Sequence, residues 1–366
     1  FKKFKVLGVR EKTNDIKIFK DYSQGVLTSR DQWCVNFDKD KLINNVDRLI
    51  NNYNKLVDDK KNEKITKDNV NKHINYNVRN FNWSRNFKNY FINKTKIKIS
   101  KKNIRKVLYR PFTFKWIYYD KYLNELRYRI PKLLPVENSE NLIISVMGSG
   151  ENKEFSCLMH NHIPEFKTLY NGQHFPLYIY QNNENDNNTN LLSGIVEKNI
   201  KQNNITDEII LDLKKFYKQD IKSEQVFFYI YGILHSEDYR LIFKNNLNKE
   251  IPRIPYVKSF KDFIKIENIG KSLSSIHLKF LDVNKYPISI KFLNQSNAKD
   301  EDLYRVKKMK HPIFNGKKDL SKIIYNNYIT LEKIPLEAYE YKVNEKSAIH
   351  WIMDQQSFTQ NEDTNI

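Results

Sequence analysis

Residues 205–217 read Ile-Thr-Asp-Glu-Ile-Ile-Leu-Asp-Leu-Lys-Lys-Phe-Tyr, and this stretch divides the chain. Ile210, Leu213, Phe216 and Tyr217 recur at the spacing of one helical face. Thr206 stands at the N-cap position. Asp207 and Glu208 put negative charge in the first turn, where the helix dipole favours it. Further along, Ser223 opens a second helix through Val226, Phe227, Ile230, Ile233 and Leu234. Ser236 caps a third through Tyr239, Ile242, Phe243 and Leu247, which Pro252 and Pro255 stop. Residues 258–281 read as helical again, broken near Gly270. Before residue 205 the pattern differs. Over 94–180, Ile97 and Ile99 alternate with polar residues, and apolar runs such as Leu142–Met147 and Leu177–Tyr180 end at Gly, Pro or Asn clusters, as strands do. The expected fold is therefore mixed α+β: a sheet-rich domain in the first half, followed by a helical subdomain.

Other segments fit around that division. Residues 1–37 read as short strands and loops. Leu42, Ile43, Val46, Leu49, Ile50, Tyr53, Leu56 and Val57 define an amphipathic helix, with Asp38 or Asp40 as its N-cap. Residues 58–80 are polar and read as a loop or weak helix. The stripe Trp83, Phe87, Tyr90, Phe91 marks another short helix, and 182–190 is polar enough to be an exposed loop. Residues 284–345 alternate short strands with basic loops, and a helix from Ser347 to Met353 precedes a polar tail. No internal repeat is visible. The linear division expected is 1–60 as a connector, 61–204 as the sheet-rich domain, 205–283 as the helical subdomain and 284–366 as a mixed C-terminal segment.

Composition narrows the function classes. Lys and Arg number 63 against 43 Asp and Glu, a net charge of +20, which points to a polyanionic partner. Cys34 and Cys157 lie far apart and outside any spaced motif, so a disulfide framework or a four-Cys zinc site is excluded and a reducing cytoplasm fits. No apolar run approaches the roughly 18 residues of a membrane span. The sequence opens at Phe1 without a signal-peptide pattern, so it reads as part of something longer.

Several chemistries lack their residues. The 9 glycines do not cluster, and neither G-x-G-x-x-G nor a Walker A sequence occurs, so no phosphate cradle for a dinucleotide or NTP is legible. An adenine methyltransferase needs an Asn/Asp-Pro-Pro-aromatic turn to hold its flipped base, and no Pro-Pro pair exists here. Asp58-Asp59-Lys60, Asp212-Leu213-Lys214 and Glu340-Tyr341-Lys342 fit half of a metal-nuclease motif, but a lysine-rich chain produces such triplets by chance. Cys157, His160, His162 and His174 have the right side chains for zinc, without the tight repeated spacing of a zinc signature. No catalytic, metal or cofactor site is assigned.

Six stretches in order carry a family resemblance. They are Tyr22-Ser23 to Arg30-Asp31-x-Trp33 with Asn36-Phe37; Tyr109-Arg110-Pro111-Phe112 running to Lys115-Trp116-Ile117-Tyr118-Tyr119-Asp120; Phe175-Pro176-Leu177-Tyr178-Ile179-Tyr180; Tyr229 to Ser236 with Tyr239-Arg240; Ile251-Pro252-Arg253-Ile254-Pro255; and Ser347-Ala348-Ile349-His350-Trp351-Ile352. Their order and spacing resemble the C-terminal specificity region of type ISP restriction–modification enzymes and related restriction enzyme–methylase fusions. The resemblance covers nearly the whole chain. It implies a target-recognition domain for double-stranded DNA, serving an adenine methyltransferase and endonuclease. The catalytic parts would lie in upstream domains or separate subunits, with S-adenosylmethionine, Mg and ATP bound there and no cofactor in this chain.

Physical chemistry then selects contact candidates. Arg suits guanine and Asn or Gln suits adenine, because each forms paired hydrogen bonds in the major groove, while most contacts go to phosphates. The basic, aromatic stretch 79–132 offers Arg85, Lys88, Arg105, Arg110, Lys115, Arg127 and Arg129. Arg127 and Arg129 share a face only if their stretch is a strand. Loops after strands offer Asn152, Lys153, Asn171 and Gln173 for base contact. Arg240 and Arg253 flank helix ends, where they suit phosphates or, equally, last-turn carbonyls. Two other classes remain open: a complete nuclease or methyltransferase with unrecognised motifs, and a non-enzymatic basic module for RNA or acidic protein, whose aromatics would stack on single strands.

Overall fold

A computed structural model describes residues 4–8, 16–77, 81–150, 153–181, 200–293 and 303–357. The fold is mixed α+β. Packing divides the chain into two compact units, each assembled from non-consecutive segments. One joins Phe1–Val26 to Arg127–Val283, and the other joins Leu27–Leu126 to Asn284–Ile366. These units cut across the linear segments, since chain neighbours need not pack together.

In the first unit an antiparallel sheet runs in the order Ser23–Gln24, Gln173–Pro176, Ile143–Val146, Cys157–His160. The last three strands are buried at every position, which is why their sequences read as runs and not as alternation. Ile144, Phe175 and Met159 from the sheet share one core with Ile209, Leu213, Phe227, Ile230 and Phe263. Those last five come from the helices Asp207–Tyr217, Ser223–His235 and Phe260–Leu278. Thr206 occupies the N-cap position with extended backbone, but its hydroxyl donates to the Lys17 carbonyl (2.9 Å) and not to the helix. Ser259 and Ser236 do cap, accepting from the Asp262 and Tyr239 amides. The helix expected to break at Gly270 runs unbroken through it. Gly270 sits where the chain of the Ser223–His235 helix passes too close for any side chain. The segment 182–190, read as a loop, lies outside the described residues.

In the second unit the long helix Lys39–Asp59 is capped by Asp38, which accepts from the Asp40 and Lys41 amides. Its buried face, Leu42, Val46, Leu49, Ile50, Tyr53 and Val57, joins Trp33, Phe87, Phe91, Ile104 and Tyr118 in a core. The stripe at Trp83–Phe91 forms the helix Arg85–Ile92, capped by Ser84. Thr113–Tyr118 pairs antiparallel with both Val35–Asn36 and Ile104–Arg110. The C-terminal part adds an antiparallel sheet of Ser289–Phe292, Ile329–Glu332 and Lys322–Ile324. It also adds the hairpin Ile313–Phe314/Lys317–Lys318 and the helix Ala348–Gln355, capped by Ser347. Among the described residues no helix is long and apolar enough to cross a membrane.

Candidate nucleic-acid interface

Tyr109 lies where Ile104–Arg110 turns back into Thr113–Tyr118. The register shifts between Leu108 and Arg110, and Phe112 adopts a left-handed φ of 58°. For an aromatic residue that conformation costs about 1 kcal/mol or more. Burial of Phe112 and an edge-on contact with the Tyr341 ring at 6.3 Å hold it. The turn gathers charge around one ring. The Tyr109 hydroxyl donates to Asp31 Oδ2 (2.9 Å), and the Thr28 hydroxyl also donates to that carboxylate. The Arg110 guanidinium and Lys115 Nζ each lie 4.1 Å from the Tyr109 ring centre, and Lys115 also lies 4.6 Å from that of Phe37. Desolvation first, and the Arg110 charge second, push the Lys115 amine down to about 8, against the pull of Asp31. Two cations thus share one aromatic platform whose hydroxyl is bound to Asp31, an arrangement suited to receiving an anion.

The other candidates of the second unit are placed differently. Arg85 is exposed at the start of its helix. Lys88 reaches Asn71 Oδ1 and the Tyr76 hydroxyl, both at 2.9 Å. Arg105 is buried, its guanidinium 5.5 Å from the Tyr119 ring centre.

In the first unit two loops come together. The Gly148 amide donates to the Tyr170 carbonyl (3.2 Å), and Lys153 Nζ lies 5.4 Å from the Tyr170 ring centre. A Cβ on Gly148 would stand 2.7 Å from the Asn171 carbonyl oxygen, so only glycine permits this approach. Asn171 is exposed with a φ of 55°. Lys153 and Asn171 therefore share one corner of the unit, while Asn152 lies outside the described residues. Gln173 is 2% exposed in the central sheet. Arg129 pairs with Asp21. Between Arg127 and Arg129, Tyr128 takes a left-handed φ of 44° and stacks on Phe166, so the stretch is a turn and the two arginines do not share a strand face. Arg240 donates from Nε to the Leu234 carbonyl (2.6 Å), at the end of its neighbouring helix, and Arg253 donates to the Phe4 carbonyl (3.2 Å).

The histidines and cysteine considered for zinc have protein partners. Ser145 Oγ lies 2.5 Å from both His160 Nε2 and His174 Nδ1. His160 Nδ1 faces the His162 carbonyl (2.9 Å), so it carries the proton there and His160 Nε2 accepts from Ser145. His174 Nδ1 must then donate to Ser145, which leaves its buried Nε2 without a partner. Burial pushes His160 down to about 3 and His174 well down. Cys157 points elsewhere, 3.5 Å from His235 Nδ1 and from an Arg240 nitrogen. Among the described residues no group of three or more His, Cys, Asp or Glu side chains could hold a metal ion. Asp212, from one of the nuclease-like triplets, is tied to the Tyr256 hydroxyl (2.9 Å) and to Lys5 (3.2 Å).

Residues 17–366 match the family described as the Type ISP C-terminal specificity domain. The chain belongs to that family. It is similar along its whole length to the Type ISP restriction–modification enzyme LlaGI, solved as a nuclease-deletion mutant with a DNA substrate mimic: 30% identity, TM-score 0.81, covering 26% of that chain. It is equally similar to the ATP-dependent Type ISP enzyme LlaBIII bound to DNA, at 30% identity and a TM-score of 0.82 over 22% of that chain. The cryoEM structure of a DrdV–DNA complex matches 99% of this chain at 26% identity and a TM-score of 0.84, over 34% of its own length. The specificity domain thus spans about a quarter to a third of the solved enzymes it matches. A comparison with curated proteins found no match.

The family-bearing residues of this specificity domain are largely interior. Trp33, Phe175, Tyr229, Tyr231 and Trp351 are buried, so they identify the fold without locating a contact surface. Sequence reasoning also passed over Asp31 as the counter-charge at Tyr109. It passed over the hairpin at residues 313–318, although Asn315-Gly316 is a strong signal for such a turn.

Proposed function

We propose that this specificity domain reads double-stranded DNA sequence-specifically for a restriction–modification enzyme, while methylation and cleavage are performed by upstream parts of the same enzyme. The observation that carries this reading is the family match over residues 17–366, joined to three similar structures solved with DNA. In this reading S-adenosylmethionine, Mg and ATP belong to those upstream parts, and no residue here is assigned to them. Phosphate contact falls to the Arg110–Tyr109–Lys115 platform and to Arg85, Lys88, Arg127 and Arg129. Base contact falls to the corner bearing Lys153 and Asn171 and, outside the described residues, to Asn152. Arg105 and Gln173 are buried and Arg240 and Arg253 hold backbone carbonyls, so DNA contact by these four would require their side chains to move.

The test is selection from a random duplex library by the purified chain at about 150 mM salt, where weak surface attraction is screened. Enrichment of one short motif, with affinity retained against single-stranded competitor, is the expected result. Retention without sequence preference, or a preference for single strands, would favour a basic module that binds by charge and stacking.

A further inference from the structure

We propose that the hairpin Ile313–Phe314/Lys317–Lys318 is an apolar wedge that enters a groove of duplex DNA, with Phe314 against the bases and its lysines on the flanking phosphates. This rests on the DNA-recognition reading above and adds to it a contact element. Ile313 is 72% exposed and Phe314 is 73% exposed, which makes Phe314 the most exposed aromatic ring among the described residues. Its exposure is built in. Asn315 and Gly316 take φ values of 49° and 74°, the turn that matches strand twist and closes a tight hairpin. Below the tip, the Asp319 amide donates to the Pro312 carbonyl (2.9 Å). Lys310 and Ile324 exchange backbone hydrogen bonds of 3.1 and 2.8 Å. His311, buried at the base, holds the Lys322 carbonyl at 2.8 Å. The ribbon projects from a fixed mount.

The pairing sets what each face presents. Ile313 lies opposite Lys318 and Phe314 opposite Lys317, so each face carries one apolar side chain and one ammonium group. From Arg305 to Lys318 the sequence holds six Lys or Arg and no acidic residue. The next carboxylate, Asp319, is engaged by the Ser321 amide and hydroxyl (3.0 and 2.5 Å). An excess of positive charge around an apolar tip suits a polyanion with an apolar interior, and a two-stranded ribbon fits a DNA groove. Inserted apolar side chains between base steps are an established way of gripping a duplex.

The test uses the full chain with its selected duplex carrying 2-aminopurine near the site. Phe314→Ser should weaken binding about tenfold, with the salt slope unchanged, because a stacking contact is lost and no phosphate contact is. It should also abolish the rise in 2-aminopurine fluorescence that unstacking produces. Lys317→Gln with Lys318→Gln should instead lower the salt slope by about two. Thermal melting of each variant should match the parent, as these side chains are exposed. Unchanged affinity and fluorescence for Phe314→Ser, with the parent chain binding normally, overturns the wedge alone. A parent chain that binds no duplex overturns the wedge together with the recognition reading.

Discussion

Gly232 and Gly270 face each other across the crossing of two helices, each lying against the other helix's backbone. A Cβ on Gly270 would stand 2.0 Å from the Phe228 carbonyl oxygen and 2.8 Å from the Gly232 nitrogen. One on Gly232 would stand 2.6 Å from the Ile266 carbonyl oxygen. Backbone atoms cannot swing aside as a flexible side chain can, so the helices must part to admit a methyl group. Intrinsic propensity favours Ala over Gly inside a helix by about 1 kcal/mol. Overpacking at a fixed contact costs about 1–3 kcal/mol and sometimes more. Gly270→Ala should therefore destabilise the chain by up to about 2 kcal/mol net, seen as a lower denaturant midpoint. A raised midpoint would mean that propensity wins and the helices do not cross this closely.

The buried histidines make the first unit acid-sensitive. His160 and His235 are pushed down to about 3 and His277 to about 4 by burial, with His174 also well down. In the unfolded chain each titrates near 6.5. The folded state thus binds fewer protons below that pH, and stability falls as pH drops from about 6.5 toward the folded values. Each such group contributes at most about 1.4 kcal/mol per pH unit. Thermal midpoints measured from pH 7.5 to 4.5 should be flat above 7 and fall steeply below 6. His160→Gln should give a shallower fall, whatever its midpoint at neutral pH.

These two cases bound what the sequence could reveal. Helices with an apolar face and a capping residue were legible, as at Asp38 and Ser236, because both signals are local, and the helix opening at Ser347 was read as well. The same local logic failed at Gly270. A helical glycine marks either a break or a close contact, and only its partner 38 positions away decides which. Thr206 looked like a cap, but its hydroxyl is taken by Lys17, 189 positions distant. The joining of Phe1–Val26 to Arg127–Val283 has no signal in linear order. At the interface, counting basic residues cannot separate exposed Arg85 from buried Arg105, since neighbours in space set exposure. The alternative weighed for Arg240, a helix-end carbonyl, describes where its Nε donates.

Arg30 shows the same limit in a core. It is 1% exposed, and its guanidinium donates to the Leu123 carbonyl (2.5 Å), the Ser84 hydroxyl (2.6 Å) and the Asn82 carbonyl (3.3 Å), above the Phe87 ring. Ser84 in turn donates to Glu125. A lysine has one nitrogen where the fork has three, so it would leave buried oxygens unpaired. Each buried acceptor left without its donor costs about 1–3 kcal/mol. Arg30→Lys should destabilise the second unit by about 3 kcal/mol, measured by urea unfolding of the pure chain. A change below 1 kcal/mol would show that water or a neighbour replaces the fork.

Lys115 couples two properties with opposite signs. Its amine is held at about 8 by desolvation and by Arg110, whereas the unfolded chain titrates near 10.4. Between those values the unfolded state binds the extra proton, so folding stability rises as pH climbs through 8. DNA binding should move the other way. If the Tyr109 platform receives a phosphate, loss of the Lys115 proton removes a counter-charge and affinity falls over the same range. Measured from pH 7 to 9.5, the parent should gain stability relative to Lys115→Met while its duplex binding weakens; the buried Cys34 and Cys157 thiols, pushed up by desolvation, lower the stability of both chains equally as pH rises. Lys115→Met should be more stable than the parent at pH 7, bind more weakly, lower the salt slope by about one, and lose the Lys115-dependent change in both pH profiles. Lys115→Met that keeps full affinity and salt slope would remove this residue from the interface and leave Arg110 as the cation on the ring. A parent-minus-variant difference that rises in both stability and affinity would mean that the proton is lost from a different group.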